Sequence, residues 1–201
     1  AQPGAPGHKV ASLEIKILST MLADEGLGEW GFAALVEVDD RRILFDTGFP
    51  PAYATDPDIA TRDGLPRFGR LLDFTERQTA TGALALLGLT PADIDLVVLS
   101  HGHIDHVGSL PLFTHAPIVM TTRERAEPKP LYFGTARPMD WPDATYHLID
   151  ADTPVCEGLI LIPTPGHTAG HLSALVDLPE NRRLILAADA PNRASEPAQG
   201  F

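Results

Sequence analysis

The chain is most tightly constrained at residues 100–108, which read Ser-His-Gly-His-Ile-Asp-His-Val-Gly. They follow directly on residues 94–99, a run of mostly branched apolar side chains typical of a buried strand. Neither a strand nor a helix gathers all of the ligands on one face. Burying such polar groups at a strand end is costly unless a cation satisfies them. The run therefore predicts a turning loop that divides four ligands between two neighbouring metals. These ligands are His101, His103, Asp105 and His106.

Two later segments have a similar build. Residues 159–162 read as a strand, and the Pro- and Gly-rich turn after it presents His167 at the strand end. A strand over residues 184–188 delivers Asp189, whose two carboxylate oxygens could bridge two cations. Imidazoles with carboxylates suit zinc, and also iron or manganese. We therefore predict two divalent metal ions as cofactors, with zinc first.

Two further residues are candidates beside the ligands. His171 follows His167 in the same turn and either binds metal or lies behind the ligands. Asp46 ends the early strand at residues 42–46 and is either a turn former or an acceptor that orients a ligand imidazole. We favour the second interpretation of Asp46, because ligand histidines usually donate their other ring N–H to such a group.

Short strands dominate the rest of the chain. Residues 13–21, 32–38 and 42–46 alternate apolar with polar or small side chains, which predicts an opening antiparallel sheet. Residues 50–70 contain four prolines and are predicted to form a long loop, with a lid as its function. A helix is predicted over residues 75–89, with Thr75 as its N-cap. Further strands are predicted over residues 118–121, 145–149, 159–162, 172–176 and 184–188.

Composition limits the partners. The chain has 27 acidic and 15 basic side chains, a formal charge of −12 that repels phosphate backbones and argues against a nucleic-acid partner. No apolar run approaches the roughly 20 residues of a spanning helix, so no membrane partner is expected. The expected partner is a small-molecule substrate. The oligomeric state is left open, with a homodimer among the options.

A length of 201 residues fits one domain, predicted over residues 13–201 after a mobile tail at residues 1–12. The tail begins without Met, which predicts an exported protein, periplasmic or secreted, with the cytoplasm as the alternative. The last residues, 191–201, have no periodic pattern. This predicts a domain truncated at its C-terminus.

The motif His101-x-His103-x-Asp105-His106, with His167 in a Pro-Gly-His-Thr turn and Asp189 ending a later strand, resembles the metallo-β-lactamase superfamily. The similarity covers roughly residues 13–190. It implies an α/β fold, an αββα sandwich with a dinuclear metal site at one edge of the two sheets. It also implies a role for each ligand. One metal is held by His101, His103 and His167, the other by Asp105 and His106, and Asp189 bridges them.

Within that superfamily, residues 163–176 and 188–190 are most similar to the N-acyl homoserine lactone lactonases. Two departures stand out. Asn192 occupies a position where lactonases usually carry a Tyr that binds the substrate carbonyl, so it is a candidate substrate contact. The family also supplies a final His to the second metal, and none follows Asp189 here. Either the sequence is truncated or the second site is incomplete.

The resemblance implies a metallo-hydrolase that opens a lactone or a related ester, acyl homoserine lactones among them, by attack of a hydroxide shared by the two metals. Asp105 is the candidate catalytic residue, since it can orient the hydroxide and pass a proton. Three alternatives remain: a β-lactam, thioester or phosphoester hydrolase on the same site, an iron-dependent oxidoreductase of the same fold, and a non-catalytic binding protein.

Overall fold

The computed structural model describes residues 13–23, 28–67, 71, 74–130, 139–178 and 182–190. Two β-sheets pack face to face. The first has six strands in the order β1-β2-β3-β4-β5-β6, antiparallel from β1 to β3 and parallel from β3 to β6. Its strands are β1 (Leu13–Ala23), β2 (Gly28–Val38), β3 (Arg41–Phe45), β4 (Leu96–Val98), β5 (Ile118–Thr121) and β6 (Tyr146–Ile149). The predicted opening antiparallel sheet is confirmed.

The second sheet has four antiparallel strands in the order β10-β9-β8-β7. They are β7 (Thr153–Cys156), β8 (Leu159–Pro163), β9 (Leu172–Leu178) and β10 (Arg182–Leu186). The strand β7 is not predicted from the sequence, because its Pro154 argues against a strand. The strand forms despite this proline because β7 lies at the edge of its sheet, and an edge strand tolerates a residue that cannot donate a hydrogen bond to the ladder.

Alternation along the strands builds two cores. On β2, Ala34 and Val36 face the second sheet, where they join Leu161 and Ala174. Leu35, between them, faces the other way, into a core covered by helix and turn residues. The central strands of the first sheet, β2 to β5, are therefore apolar on both faces, as expected of a sheet buried between two layers. The α/β class predicted from the sequence, two stacked sheets with helices, agrees with this architecture.

The helices are short. They are α1 (Ala52–Thr55), α2 (Pro57–Arg62), α3 (Ala80–Leu86), α4 (Ile104–Val107) and α5 (Thr122–Arg125), with 3-10 turns at Leu65–Arg67, Glu76–Gln78, Pro91–Asp93 and Leu110–Phe113. The single helix predicted from Thr75 is wrong. Thr75 caps only the 3-10 turn, and α3 begins after Thr79, whose hydroxyl accepts from the Gly82 N–H at 3.0 Å.

The long loop predicted over residues 50–70 is also wrong in part, because it contains α1 and α2. Asp56 caps α2 by accepting from the Asp58 N–H, and Pro57 starts the helix. Phe49 and Tyr53 are buried against Ile104, the first residue of α4. Prolines that argued for a loop therefore begin a helical segment, and this segment covers one side of α4.

Within the described residues, no helix is long and apolar enough to cross a membrane.

Candidate metal centre

The first ligand loop runs from the end of β4 into α4. Ser100 and His101 are fully buried, and His103 is the N-cap of α4. The helix then carries Asp105 and His106 in its single turn. The change from extended chain to helix separates the pair 101 and 103 from the pair 105 and 106.

The second ligand loop joins β8 to β9. It closes on itself, since the Thr164 N–H donates to the His171 carbonyl at 2.8 Å and the Gly166 N–H to the Thr168 carbonyl at 3.0 Å. The Leu172 N–H donates to the carbonyl of Ser100 at 2.9 Å, which ties the start of β9 to the first ligand loop. This pairing brings His167 toward the first loop.

Asp189 follows β10, after Ala188, which has a left-handed φ of 45°. One carboxylate oxygen, Oδ2, lies 3.3 Å from His167 Nε2 and 3.9 Å from His101 Nε2. The other, Oδ1, lies 3.5 Å from His106 Nε2. Asp189 therefore turns its two oxygens toward histidines of two different groups.

These groups form two ligand sets, each with its ligand atoms within 4.8 Å of one another. The four-ligand set is His101, His103, His167 and Asp189, and the three-ligand set is Asp105, His106 and Asp189. Within the first set, His167 Nε2 lies 2.9 Å from His103 Nδ1. Every residue expected to bind metal thus lies in one set or the other.

The donors fit a cation. His101 Nε2 and Asp105 Oδ1 are buried and have no hydrogen-bond partner within the described part of the chain. Leaving such a buried atom unsatisfied costs about 1–3 kcal/mol. Imidazole nitrogens and carboxylate oxygens are also the ligands zinc accepts. A divalent cation in each set would satisfy both atoms.

Asp46 and Ser100 orient two of the imidazoles. Ser100 Oγ donates to Asp46 Oδ2 at 2.6 Å, which leaves that hydroxyl to accept from His101 Nδ1 at 2.9 Å. The same Asp46 oxygen lies 2.8 Å from His106 Nδ1. With Nδ1 occupied in this way, both rings turn Nε2 toward the ligand sets. This is the contact expected of Asp46 as the acceptor behind a ligand histidine.

Burial and charge set the protonation states. Burial and neighbouring imidazoles lower the pKa of His103 to about 3 and that of His101 well below its ordinary value, so both rings are neutral and able to bind metal. Burial alone would raise the pKa of Asp189, but the imidazoles, His106 first, lower it to about 2. The pKa of His106 is raised, since Asp105 and Asp46 outweigh its burial. A cation would replace its proton.

Of the two other candidate residues, His171 and Asn192, the structure describes only His171. His171 is fully buried beside His101, with ring centroids 5.1 Å apart, and its Nδ1 lies 2.9 Å from Thr164 Oγ1. It belongs to neither ligand set, although its buried Nε2 has no partner within the described residues. Asn192, the expected substrate contact, lies outside the described residues.

Glu124, on α5, contacts both ligand loops and was not among the residues that the sequence predicted for the site. Its carboxylate accepts from the Gly102 N–H at 2.8 Å, the Thr168 hydroxyl at 2.7 Å and the Gly170 N–H at 3.1 Å. Its neighbours Arg123 and Arg125 are charged, which is typical of an exposed segment. One signal was present, because Thr121 and Glu124 have the spacing of a helix capping box.

Fold and site together define a class: an α/β protein of two stacked sheets, with a cluster of histidines and aspartates that is compatible with a metal site. The chain belongs to the metallo-beta-lactamase superfamily, whose family model matches residues 31–195.

Individual relatives have names more specific than that of the superfamily. The chain is 30% identical over 159 residues to an N-acyl homoserine lactonase of Bacillus cereus, which covers 78% of this chain and 62% of the relative. The chain thus spans less than two thirds of that protein's length.

Two solved structures are also similar to this chain. One is an AiiA mutant of B. thuringiensis with N-decanoyl-L-homoserine bound at the active site, with a TM-score of 0.73 and 25% identity over 94% of this chain and 79% of that one. The other is an N-acyl homoserine lactone hydrolase with the product N-hexanoyl-L-homoserine bound at the catalytic metal center, with a TM-score of 0.71 and 25% identity over the same shares.

Proposed function

We propose that this protein is a metal-dependent hydrolase that opens a lactone ring, with N-acyl homoserine lactones as the first substrates to test. The observation that carries the proposal is the position of Asp189, whose Oδ2 faces the four-ligand set while Oδ1 faces the three-ligand set. A carboxylate placed in this way can serve two cations at once. The names of the relatives support the substrate class.

In this proposal, the four-ligand set holds one divalent ion and the three-ligand set the other, with zinc as the metal. Such ions, when bound, polarise a carbonyl oxygen and make water acidic enough to attack it near neutral pH. The protein supplies the neutral imidazoles of His101 and His103, the ionised carboxylate of Asp189 and a rigid support behind them. No side chain has to act as a nucleophile.

Exposure indicates how a substrate approaches. His101 and His106 are at most 1% exposed and form the floor of the site, whereas the side chains of His167 and Asp189 are 17% and 36% exposed. A substrate therefore reaches the site from the side of His167 and Asp189. On the floor, Asp105 Oδ1 has no hydrogen-bond partner within the described residues, and a lone pair not taken by a cation can orient the attacking water and accept its proton.

The test is hydrolysis by the zinc-loaded protein. N-hexanoyl- and N-decanoyl-homoserine lactone are assayed with a pH indicator, beside nitrocefin and bis-p-nitrophenyl phosphate. We expect turnover of the lactones, loss of that turnover after exhaustive chelation, and recovery with zinc, cobalt or manganese. His147→Gln, a change on the exposed edge of β6, is the matched control for His101→Gln. Lactone turnover that is indifferent to chelation would contradict the mechanism, and turnover of another substrate alone would contradict the lactone assignment.

A further inference from the structure

Glu124 connects the first and second ligand loops. The side chain is only 2% exposed, and one oxygen, Oε1, accepts from the N–H of Gly102, between His101 and His103. The other oxygen, Oε2, accepts from the Thr168 hydroxyl and the Gly170 N–H, directly after His167. A single carboxylate from a third segment thus accepts from both loops.

We propose that Glu124 is a positioning residue that sets the metal affinity of the four-ligand set by holding its two histidine loops together. The proposal rests on the metal site of the proposed function, but it does not depend on which substrate that site hydrolyses. Glu124 belongs to neither ligand set, and it acts through the backbone of residues 102 and 170 and the side chain of Thr168.

The reason is one of chain entropy and charge. His103 and His167 are 64 residues apart in sequence, so their approach to 2.9 Å must be maintained by tertiary contacts. A buried carboxylate is costly unless it is fully hydrogen-bonded, and the donors here come from both loops. Separating the loops would leave that carboxylate partly unsatisfied. The hydrogen bonds therefore favour one fixed spacing of the loops, which is the spacing a preorganised metal site requires.

The packing around Gly170 supports this role. A Cβ at residue 170 would collide with the backbone nitrogen of Glu124 and with Thr121 Oγ1, so the loop lies directly against the start of α5. The Thr121 hydroxyl also donates to the Gly170 carbonyl at 2.6 Å. Both backbone polar groups of residue 170 are thereby bound to the Thr121–Glu124 segment. The second loop is fixed against α5 and not only against the first loop.

The effect is specific to one ligand set. His106, in the three-ligand set, is held from the other side by Asp46, and the His106 carbonyl accepts from the Thr47 N–H at 2.7 Å. Glu124 takes no part in those contacts. A change at Glu124 should therefore weaken the four-ligand set first.

The test compares Glu124→Gln with Glu157→Gln, the same change at an exposed turn between β7 and β8. The amide places an N–H₂ group opposite donors of one loop or the other. Each purified variant is stripped of metal and titrated with zinc against a chromophoric chelator, and the visible spectrum of the cobalt-loaded protein is recorded. Both readouts report the ligand set directly, and neither requires a substrate.

We expect Glu124→Gln to lower the affinity for the more tightly bound zinc by about 10-fold to 100-fold and to change the cobalt spectrum, with Glu157→Gln unchanged. Wild-type affinity and an unchanged spectrum in Glu124→Gln would overturn the proposal. If that variant fails to fold, Thr168→Val and Thr168→Ser decide. Weaker zinc binding by the valine variant than by the serine variant supports the proposal, and equal binding overturns it. A protein that binds zinc in this way but hydrolyses no lactone would contradict only the proposed function.

Discussion

Asp46 and His106 form a buried pair: Asp46 Oδ2 lies 2.8 Å from His106 Nδ1, and neither side chain is more than 1% exposed. Ser100 donates both its N–H and its hydroxyl to the same carboxylate. Asp46 thus holds the ring of one ligand histidine and the residue that precedes another. Because all of these contacts are shielded from water, we expect the pair to contribute to both folding stability and metal binding.

Asp46→Asn should weaken both the stability of the fold and the binding of metal. The amide places a donor where Ser100 and His106 also donate, so we expect the free energy of unfolding of the metal-free protein to fall by about 3 kcal/mol. Zinc affinity of the three-ligand set should fall by about 10-fold or more. Urea unfolding and chelator competition measure the two effects. Asp152→Asn, at an exposed position before β7, is the control. Wild-type values for Asp46→Asn would show that the pair neither stabilises the fold nor orients the ring.

Zinc should stabilise the fold. A ligand that binds only the folded state at 100 times its Kd raises the free energy of unfolding by about 2.7 kcal/mol per site. We expect this shift for both sites in the wild type and in His147→Gln, whose ring is exposed on β6, and a shift smaller by the contribution of one site in His103→Gln. Thermal unfolding with and without zinc measures the shift. Equal stabilisation of all three proteins would mean that zinc binds elsewhere.

Alanine substitutions at two glycines of the second ligand loop should differ sharply in their cost to folding stability. A Cβ at Gly170 meets the backbone of Glu124 and the Thr121 hydroxyl, whereas a Cβ at Gly166 has no atom within 4 Å. Gly170→Ala should therefore cost about 1–3 kcal/mol of folding stability and reduce zinc affinity. Gly166→Ala should leave stability within about 0.5 kcal/mol. Unfolding curves of both variants decide, and equal effects would contradict the close packing of this loop against α5.

The segment that covers α4 should support the three-ligand set. Phe49 is buried against Ile104, the residue before Asp105. Phe49→Ala should cost about 3–5 kcal/mol of stability and loosen α4, with a loss of zinc from the three-ligand set. Leu86→Ala, at a side chain 63% exposed at the end of α3, should change neither property. Zinc content after dialysis at fixed free zinc, with urea unfolding, measures both. Full zinc occupancy in Phe49→Ala would show that α4 does not need this cover.

Local patterns in the sequence predicted some elements well and others poorly. Alternation of apolar side chains located most strands, because the burial of a strand on one or both faces is visible in the pattern of apolar residues along that strand. It failed at β7, where an edge position admits Pro154. It also failed at residues 50–70, because prolines that break a helix in its interior begin one at Pro57.

For the site, the sequence alone determined which side chains are available and that each follows a strand, since strand ends and Pro- and Gly-rich turns are local properties. Only the tertiary structure decided which of them meet. The division of the two Asp189 oxygens between His167 and His106, and the contact of Glu124 with both histidine loops, join residues far apart in the chain. Periodicity carries no information on such contacts, because they depend on how the two sheets and α5 pack against one another.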